Sequence, residues 1–372
     1  MIRFNNLFDD NEIVDNIYIE KKSKYKIPWV DKYRPKTLDD IVQQDEIINF
    51  LKKSLLSGNM PHLLFHGPPG SGKTSTILAI AHQLYGPIKF SERVIELNAS
   101  DDSGINAVRH KIITFAEMKI GNPDKNYPCP PYKIVILDEA DAMTTEAQSA
   151  LRKVMEDLSS ITRFCFICNY IEQISEPITS RCMKFRFKPV NNISINERLQ
   201  FIAEKEKMDI SYNVIDAISI ISKGDLRRSI MTLQNLSYIY KYKSIHNKNI
   251  SDQSIICVED VYDITNMLPT EELNNIWDIC MSDDPDTIHI INLTNKLIEC
   301  GYPIDNILYQ LKNKTIESDI NDFQKSLICI QLHITEKRLI EGSNEYIQLL
   351  NMLCYIKGVI NNHICEVSSI IC

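Results

Sequence analysis

The residues with the clearest potential for chemistry form a short glycine-rich loop. Residues 67–74 read Gly-Pro-Pro-Gly-Ser-Gly-Lys-Thr and fit the phosphate-binding pattern G-x-x-x-x-G-K-[ST] at every fixed position. Glycines let backbone N–H groups approach a polyphosphate, and a following helix turns its positive N-terminal end toward that charge. We expect Lys73 to meet the outer phosphates of a nucleotide and the Thr74 hydroxyl to ligate Mg²⁺.

The flanks of this loop predict the structural context that the motif needs. An apolar run, Leu63-Leu64-Phe65, precedes the loop and indicates a strand, and Ser75 to Ala81 indicates a helix. A chance Gly/Pro turn would not be expected to have both flanks, nor the acidic motif that follows later in the chain.

Two carboxylates end a second apolar run. Residues 133–137 are apolar after the initial lysine, and Asp138 and Glu139 follow directly. Parallel sheets bind ligands at the carboxyl ends of their strands, so this pair is expected beside the phosphate loop. We interpret Asp138 as part of the magnesium shell and Glu139 as the residue that polarises the attacking water. A strand followed by an acidic helix cap is the alternative.

Three further polar residues give weaker signals. Asn169 ends another strand-like run and could contact a γ-phosphate or water, although asparagine commonly ends strands. Arg181 lies in a short Ser-Arg-Cys segment, where the pattern alone favours a solvated charge. Arg227 begins a helix after Gly224-Asp225 and could reach phosphates or simply pair with an acid.

Composition bounds the class of protein. The chain has 372 residues, 44% hydrophobic and 24% charged, with a net charge of −8. The length predicts two or three domains, and any nucleic-acid binding would need a local basic face. We find no signal peptide and no apolar run of transmembrane length. Eleven scattered cysteines therefore indicate reduced thiols in an intracellular protein, with Cys165 and Cys168 buried on opposite faces of a strand.

The order of elements predicts an α/β domain followed by helices. Strand-like runs at 62–66, 93–97, 133–137 and 163–168 alternate with helical stretches, which predicts a parallel sheet flanked by helices. We interpret 1–24 as a disordered leader, 25–190 as the nucleotide-binding domain, 191–254 as a helical region with a polar linker at 241–254, and 255–372 as wholly helical. Helices are predicted from Asp284 (N-cap) and Pro285 to Gly301, from about 323 to 342 and from about 344 to 360.

Taken together, the motifs resemble one family. Seven segments occur in one order with compatible spacings: Trp29-Val30-Asp31-Lys32-Tyr33-Arg34-Pro35, the phosphate loop, Glu96-Leu97-Asn98-Ala99-Ser100-Asp101-Asp102, the acidic motif, Asn169, Ser180-Arg181-Cys182 and Gly224-Asp225-Leu226-Arg227-Arg228. This combination is similar to the small subunits of replication factor C, the sliding-clamp loader of the AAA+ class. Residues 129–141 and 162–170 resemble the fourth human-type small subunit in particular. The resemblance is strong over about 27–240.

The resemblance implies a fold and roles for matching positions. It implies an AAA+ α/β P-loop domain, a small helical lid and an all-α C-terminal collar for oligomerisation, with ATP and Mg²⁺ as cofactors. Lys73, Asp138, Glu139 and Asn169 (sensor 1) would be catalytic, and Arg181 would act in trans as an arginine finger on ATP held by the neighbouring subunit. The residues that would contact the nucleotide are Val30, Arg34, Gly67, Pro68, Pro69, Gly70, Ser71, Gly72, Lys73, Thr74, Ser75, Asn169 and Arg227 (sensor 2).

The family also implies partners: other clamp-loader subunits in a heteropentamer, the sliding clamp and primer–template DNA, with no membrane. Arg109, Lys111 and Lys153 are candidates for DNA phosphate contacts, and a solvated-surface role fits each equally well. Related subunits commonly carry Arg or Lys at the position where this chain has Ser103. If that basic side chain helps to hold the DNA backbone, its absence would weaken this subunit's share of the grip. Residence in the nucleus, or at a viral replication site, is carried from the family, since Lys21-Lys22-Ser23-Lys24 is a weak import signal.

Two alternatives stay open at the level of the sequence. One is another AAA+ DNA motor or remodeller, against which the Ser-Arg-Cys segment argues. The other is a structural subunit that binds nucleotide without turnover, because catalytic residues permit chemistry without proving it.

Overall fold

Five strands form one parallel sheet at the centre of the N-terminal part of the chain. The computed structural model describes residues 27–99, 104–118, 121, 123–124, 126–246, 256–282 and 287–362. The strand order is β2-β3-β4-β1-β5. The strands are β1 His62–His66, β2 Val94–Asn98, β3 Lys133–Asp138, β4 Thr162–Cys168 and β5 Cys182–Arg186. The four predicted strands are confirmed, and the parallel α/β class with them.

The fifth strand was not predicted from the sequence. β5 lies at the edge of the sheet, and only Phe185 in it is buried. Its sequence, Cys-Met-Lys-Phe-Arg, therefore has no apolar run to mark it as a strand. Pairing with β1, in which Leu63 to Phe65 are fully buried, fixes it instead.

Alternation along the central strands supplies two cores, one on each face of the sheet. Leu63, Phe65, Ile134, Ile136, Cys165 and Ile167 belong to one buried cluster. Leu64, Val135, Leu137, Phe164, Phe166 and Cys168 belong to the other. Cys165 and Cys168 are thus buried on opposite faces, as predicted, and the described residues contain no cluster of His, Cys, Asp or Glu suited to a metal ion.

Helices cover the sheet and extend the N-terminal part. They are α1 Trp29–Lys32, α2 Asp45–Ser57, α3 Lys73–Arg93, α4 Gly104–Glu117, α5 Thr145–Leu158 and α6 Glu176–Thr179, with short 3₁₀ turns at Leu38–Asp40, Ala140–Ala142 and Ile171–Gln173. α3 starts directly at the phosphate loop, as the motif requires. Its helical backbone is interrupted at Gly86 (φ 66°), before Pro87.

Three helices follow the sheet: α7 Asn192–Lys205, α8 Tyr212–Ser222 and α9 Leu226–His246. The prediction of a loop over 241–254 is wrong for 241–246, which continue α9, and residues 247–255 lie outside the described part. The sequence of this stretch does not indicate a helix, because its mostly polar residues form no apolar stripe. The chain divides into two compact units between Tyr238 and Ile239, inside α9. The boundaries proposed from the sequence stay a prediction.

The second unit is helical throughout its described residues beyond α9. Its helices are α10 Val258–Thr265, α11 Thr270–Met281, α12 Ile288–Glu299, α13 Ile304–Glu317, α14 Asp322–Ile340 and α15 Glu345–Ile360. Helices α11 to α15 contribute to one hydrophobic core. The two last helices match their predictions, and the Asn344 side chain caps α15 by accepting from Ile347 N at 3.1 Å. The predicted leader, Ser103 and the predicted cap Asp284-Pro285 lie outside the described residues. Among the described helices, none combines the length and the apolar character that a membrane span needs.

Candidate nucleotide-binding site

The sheet order brings the predicted site residues to one edge. β4 lies between β1 and β3, and all three strands run parallel. The phosphate loop after β1, the carboxylates at the end of β3 and Asn169 after β4 therefore emerge side by side. This convergence is what the position of ligands at the carboxyl ends of parallel strands predicts.

The phosphate loop needs glycine where its backbone turns. Gly67 has a φ of +145°, and a Cβ there would lie 2.3 Å from the Phe187 carbonyl oxygen. Gly70 has a φ of +68°, and a Cβ there would lie 1.8 Å from an Asp225 side-chain oxygen. The loop is therefore packed against the segment that follows β5 and against the start of α9.

Lys73 is held inside the loop. Its Nζ donates to the Gly67 and Pro68 carbonyls at 2.7 and 2.9 Å and to Asn169 Oδ1 at 2.9 Å. These contacts use all three ammonium protons. Burial lowers the pKa of Lys73, while the charge of Asp138 acts in the opposite direction. The ammonium group is thus held between the loop and the end of β4.

Oxygen donors of the kind that Mg²⁺ prefers meet beside this lysine. Thr74 Oγ1 donates to Asp138 Oδ2 at 2.9 Å. The other Asp138 oxygen accepts from the backbone N–H of Glu139 at 2.9 Å. Hydroxyl and carboxylate oxygens fit a hard cation that also binds phosphate, so this pair fits the expected magnesium site.

Glu139 follows in a left-handed conformation, with φ 53°. This single-residue turn directs the chain away from β3 and starts the 3₁₀ turn Ala140–Ala142. Asp141, two residues later, accepts from the backbone N–H groups of Asn169 and Tyr170 at 2.9 and 3.1 Å. Asp141 therefore holds the end of β4, a role that the sequence did not reveal, because only the neighbouring strands define it.

A cavity of about 190 Å³ is lined by many of the predicted site residues. Of the predicted contacts, Val30, Arg34, Asp138, Glu139, Asn169, Arg227 and residues 69–75 line it. Gly67 and Pro68 are not part of the lining, and their carbonyls accept from Lys73 instead. Burial raises the pKa of the lining thiol Cys168 to about 12, so it stays protonated near neutrality.

Several lining residues were not predicted. Six are aliphatic and give the cavity a non-polar side: Ile41, Val42, Ile167, Val190, Leu226 and Ile230. Arg198, from α7, adds a cation, and its Nη2 donates to the Tyr33 carbonyl at 2.8 Å. No local sequence signal separates Arg198 from a surface arginine, because it reaches the cavity only through the packing of α7.

Arg181 lies elsewhere. It is absent from the lining of this chain's cavity, and its Nη2 pairs with Glu156 Oε1 at 2.5 Å. Its Nη1 also donates to the Pro177 carbonyl at 2.6 Å. The guanidinium is thus held against Glu156 of α5 and does not line this cavity.

The three candidate DNA contacts are solvent-exposed. Arg109 and Lys111 lie on α4, and Lys153 lies on α5. The two helices pack against each other, so these cations belong to adjoining surfaces.

Models of known protein families match three parts of the chain. Residues 63–190 match the profile of the ATPase family associated with various cellular activities (AAA). Residues 197–237 match the RCF1/5-like AAA+ ATPase lid domain, and residues 268–355 match the replication factor C C-terminal domain. The sheet, the phosphate loop and the acidic pair therefore define an AAA+ ATPase.

Relatives identify the family within that class. Replication factor C subunit 4 of Arabidopsis thaliana is 44% identical over 87% of this chain and 93% of its own length. Replication factor C subunit 4 of Homo sapiens is 43% identical, covering 90% of this chain and 88% of the human protein. A replication factor C small-subunit homologue from Acanthamoeba polyphaga mimivirus is 42% identical, covering 90% of this chain and 97% of the viral protein.

The chain belongs to the replication factor C family, the AAA+ ATPase subunits of the hetero-oligomeric clamp loader of DNA replication. The resemblance read from the motifs is confirmed, including that to human subunit 4.

Proposed function

We propose that this subunit binds ATP with Mg²⁺ in the 190 Å³ cavity and hydrolyses it only within the assembled loader. This proposal rests on one observation: Lys73, Asp138 and Glu139 line the cavity, whereas Arg181 does not. The chain would thus supply one nucleotide-binding site, which a neighbouring subunit completes, and one arginine finger for a different site.

The roles of the side chains follow from their positions. Lys73 meets the outer phosphates, and Asn169, which already accepts from Lys73, orients that contact. Thr74 and Asp138 would hold Mg²⁺, which when bound neutralises charge on the phosphates. Glu139 polarises water, and Arg34 and Arg227 approach the nucleotide from the N-terminal segment and from the lid.

The proposed partners are the other subunits of a heteropentamer, the sliding clamp and primer–template DNA. ATP binding would order the subunits around an opened clamp, and hydrolysis would release the clamp on DNA. Arg109, Lys111 and Lys153 would contact DNA phosphates, which position a duplex without reading its sequence. The family supports residence in the nucleus or, since a viral relative exists, at a viral replication site.

Replacing Glu139 with glutamine tests whether this site turns over. The amide keeps the shape but cannot polarise water as a base, and general-base catalysis contributes about 10²–10⁴-fold. We expect ATP to bind as before and single-turnover hydrolysis at this site to fall by about that factor, measured by rapid quench in the purified complex.

The matched control is Glu146→Gln, an exposed carboxylate at the start of α5 that does not line the cavity. It should leave hydrolysis unchanged. Unchanged hydrolysis in the Glu139 variant would instead favour a scaffold subunit whose nucleotide is not turned over.

A further inference from the structure

The segment Trp29–Arg34 lies between the cavity and the lid helices. Val30, Tyr33 and Arg34 line the cavity. The same segment is bonded to the lid at its two ends, because Trp29 N donates to Gln234 Oε1 at 2.8 Å and the Tyr33 carbonyl accepts from Arg198 at 2.8 Å. These bonds link the segment that carries three residues of the cavity wall to the lid.

Glu206 contacts this segment through two neighbouring side chains. It follows α7 directly, and its side chain is only 18% exposed. Its Oε1 accepts from Lys32 Nζ at 2.5 Å and from Tyr33 Oη at 2.7 Å. The bond to Glu206 raises the pKa of Lys32, as expected for an ammonium group with a carboxylate partner. Glu206 itself does not line the cavity.

Part of the lining of the cavity suits a nucleobase. Phosphates are accounted for by the loop 69–75, Lys73 and Asp138, all at the edge of the sheet. The remaining lining contains Val30 together with Ile41, Val42, Val190 and Ile230, which are apolar and fit a flat base.

We propose that Glu206 is a positioning residue that fastens the Trp29–Arg34 segment to the lid, so that binding of the base and placement of the lid are coupled. This inference rests on the proposed nucleotide site and deepens it. Coupling between two parts of a site is reciprocal, so a ligand with a base gains from the fastened segment and orders the lid. A ligand without a base gains nothing from Glu206.

The test compares two ligands on the full-length chain by isothermal titration calorimetry with Mg²⁺: ATP and inorganic tripolyphosphate. Glu206→Gln is expected to raise the Kd for ATP about tenfold, within the usual range of coupling, and to leave the Kd for tripolyphosphate unchanged. Glu204→Gln, an exposed carboxylate two residues earlier, is the matched control and should change neither. An unchanged ATP Kd in Glu206→Gln, or an equal loss for both ligands, would overturn the proposal.

A second variant guards against a folding defect. Tyr33→Phe removes only the hydroxyl that donates to Glu206, and it should raise the Kd for ATP by a smaller factor. In the double variant, the two effects should be less than additive, because both act through one contact. Additive effects would contradict the proposed contact.

Lys73→Ala separates this proposal from the one that it rests on. It should weaken ATP and tripolyphosphate alike. If it weakened neither, the assignment of the nucleotide site would fail, whereas a base-specific loss limited to ATP in Glu206→Gln is the signature of the positioning role.

Discussion

Replacing Arg181 with alanine is expected to leave ATP binding to this subunit intact and to slow hydrolysis in the neighbouring subunit by about 10³–10⁵-fold, the usual contribution of an arginine finger. The reason is its position: the guanidinium lies outside this chain's cavity and is held by Glu156 and the Pro177 carbonyl. A guanidinium supplied across an interface stabilises the charge that develops on the γ-phosphoryl group. Single-turnover hydrolysis in the complex, with nucleotide binding measured separately on this chain, gives both quantities.

The matched control for Arg181 is Arg186→Ala, an exposed arginine on β5 that does not line the cavity. This control should change neither quantity. Loss of this subunit's own ATP binding in Arg181→Ala would contradict the role in trans.

Replacing Lys73 with alanine is expected to weaken ATP binding to this chain by roughly 10–100-fold or more. A charge-assisted hydrogen bond contributes about 1.5–3 kcal/mol, and about 1.4 kcal/mol corresponds to a factor of ten in affinity. The substitution also leaves three acceptors without the ammonium group: the Gly67 and Pro68 carbonyls and Asn169 Oδ1. Calorimetric titration of the full-length chain with ATP and Mg²⁺ measures the effect.

Lys89→Ala provides the comparison, because Lys89 lies on the same helix and pairs with Glu92 away from the cavity. Its ATP affinity should match that of the unmodified chain. Normal ATP affinity in Lys73→Ala would mean that the phosphates bind elsewhere.

The convergence of Lys73, Asp138 and Asn169 could be predicted because each of them lies in a segment with its own local sequence signal. The loop 67–74 has its own glycines, and Asp138 and Asn169 each follow an apolar strand. Parallel pairing then has only one way to place them, at the carboxyl edge of the sheet. The strand positions follow for the same reason, since buried parallel strands are apolar runs.

Residues that act through distant parts of the chain could not be predicted this way. Arg198 lines the cavity, and Asp141 and Glu206 lie outside its lining. Each bonds to a segment distant in sequence, as in the bond from Arg198 to the Tyr33 carbonyl. No local sequence pattern reveals these contacts. The edge strand β5 and the polar end of α9 were missed because neither carries the apolar pattern of its element.

The most direct test of a site completed across an interface is the ATP turnover of the purified chain, strictly monomeric, against its turnover in the assembled loader with sliding clamp and primed DNA. We expect the monomer to bind ATP but to turn it over at least about 10³-fold more slowly than the assembly, because no arginine from a neighbouring subunit reaches its cavity. A monomer that hydrolyses ATP at the rate of the assembled complex would contradict this account.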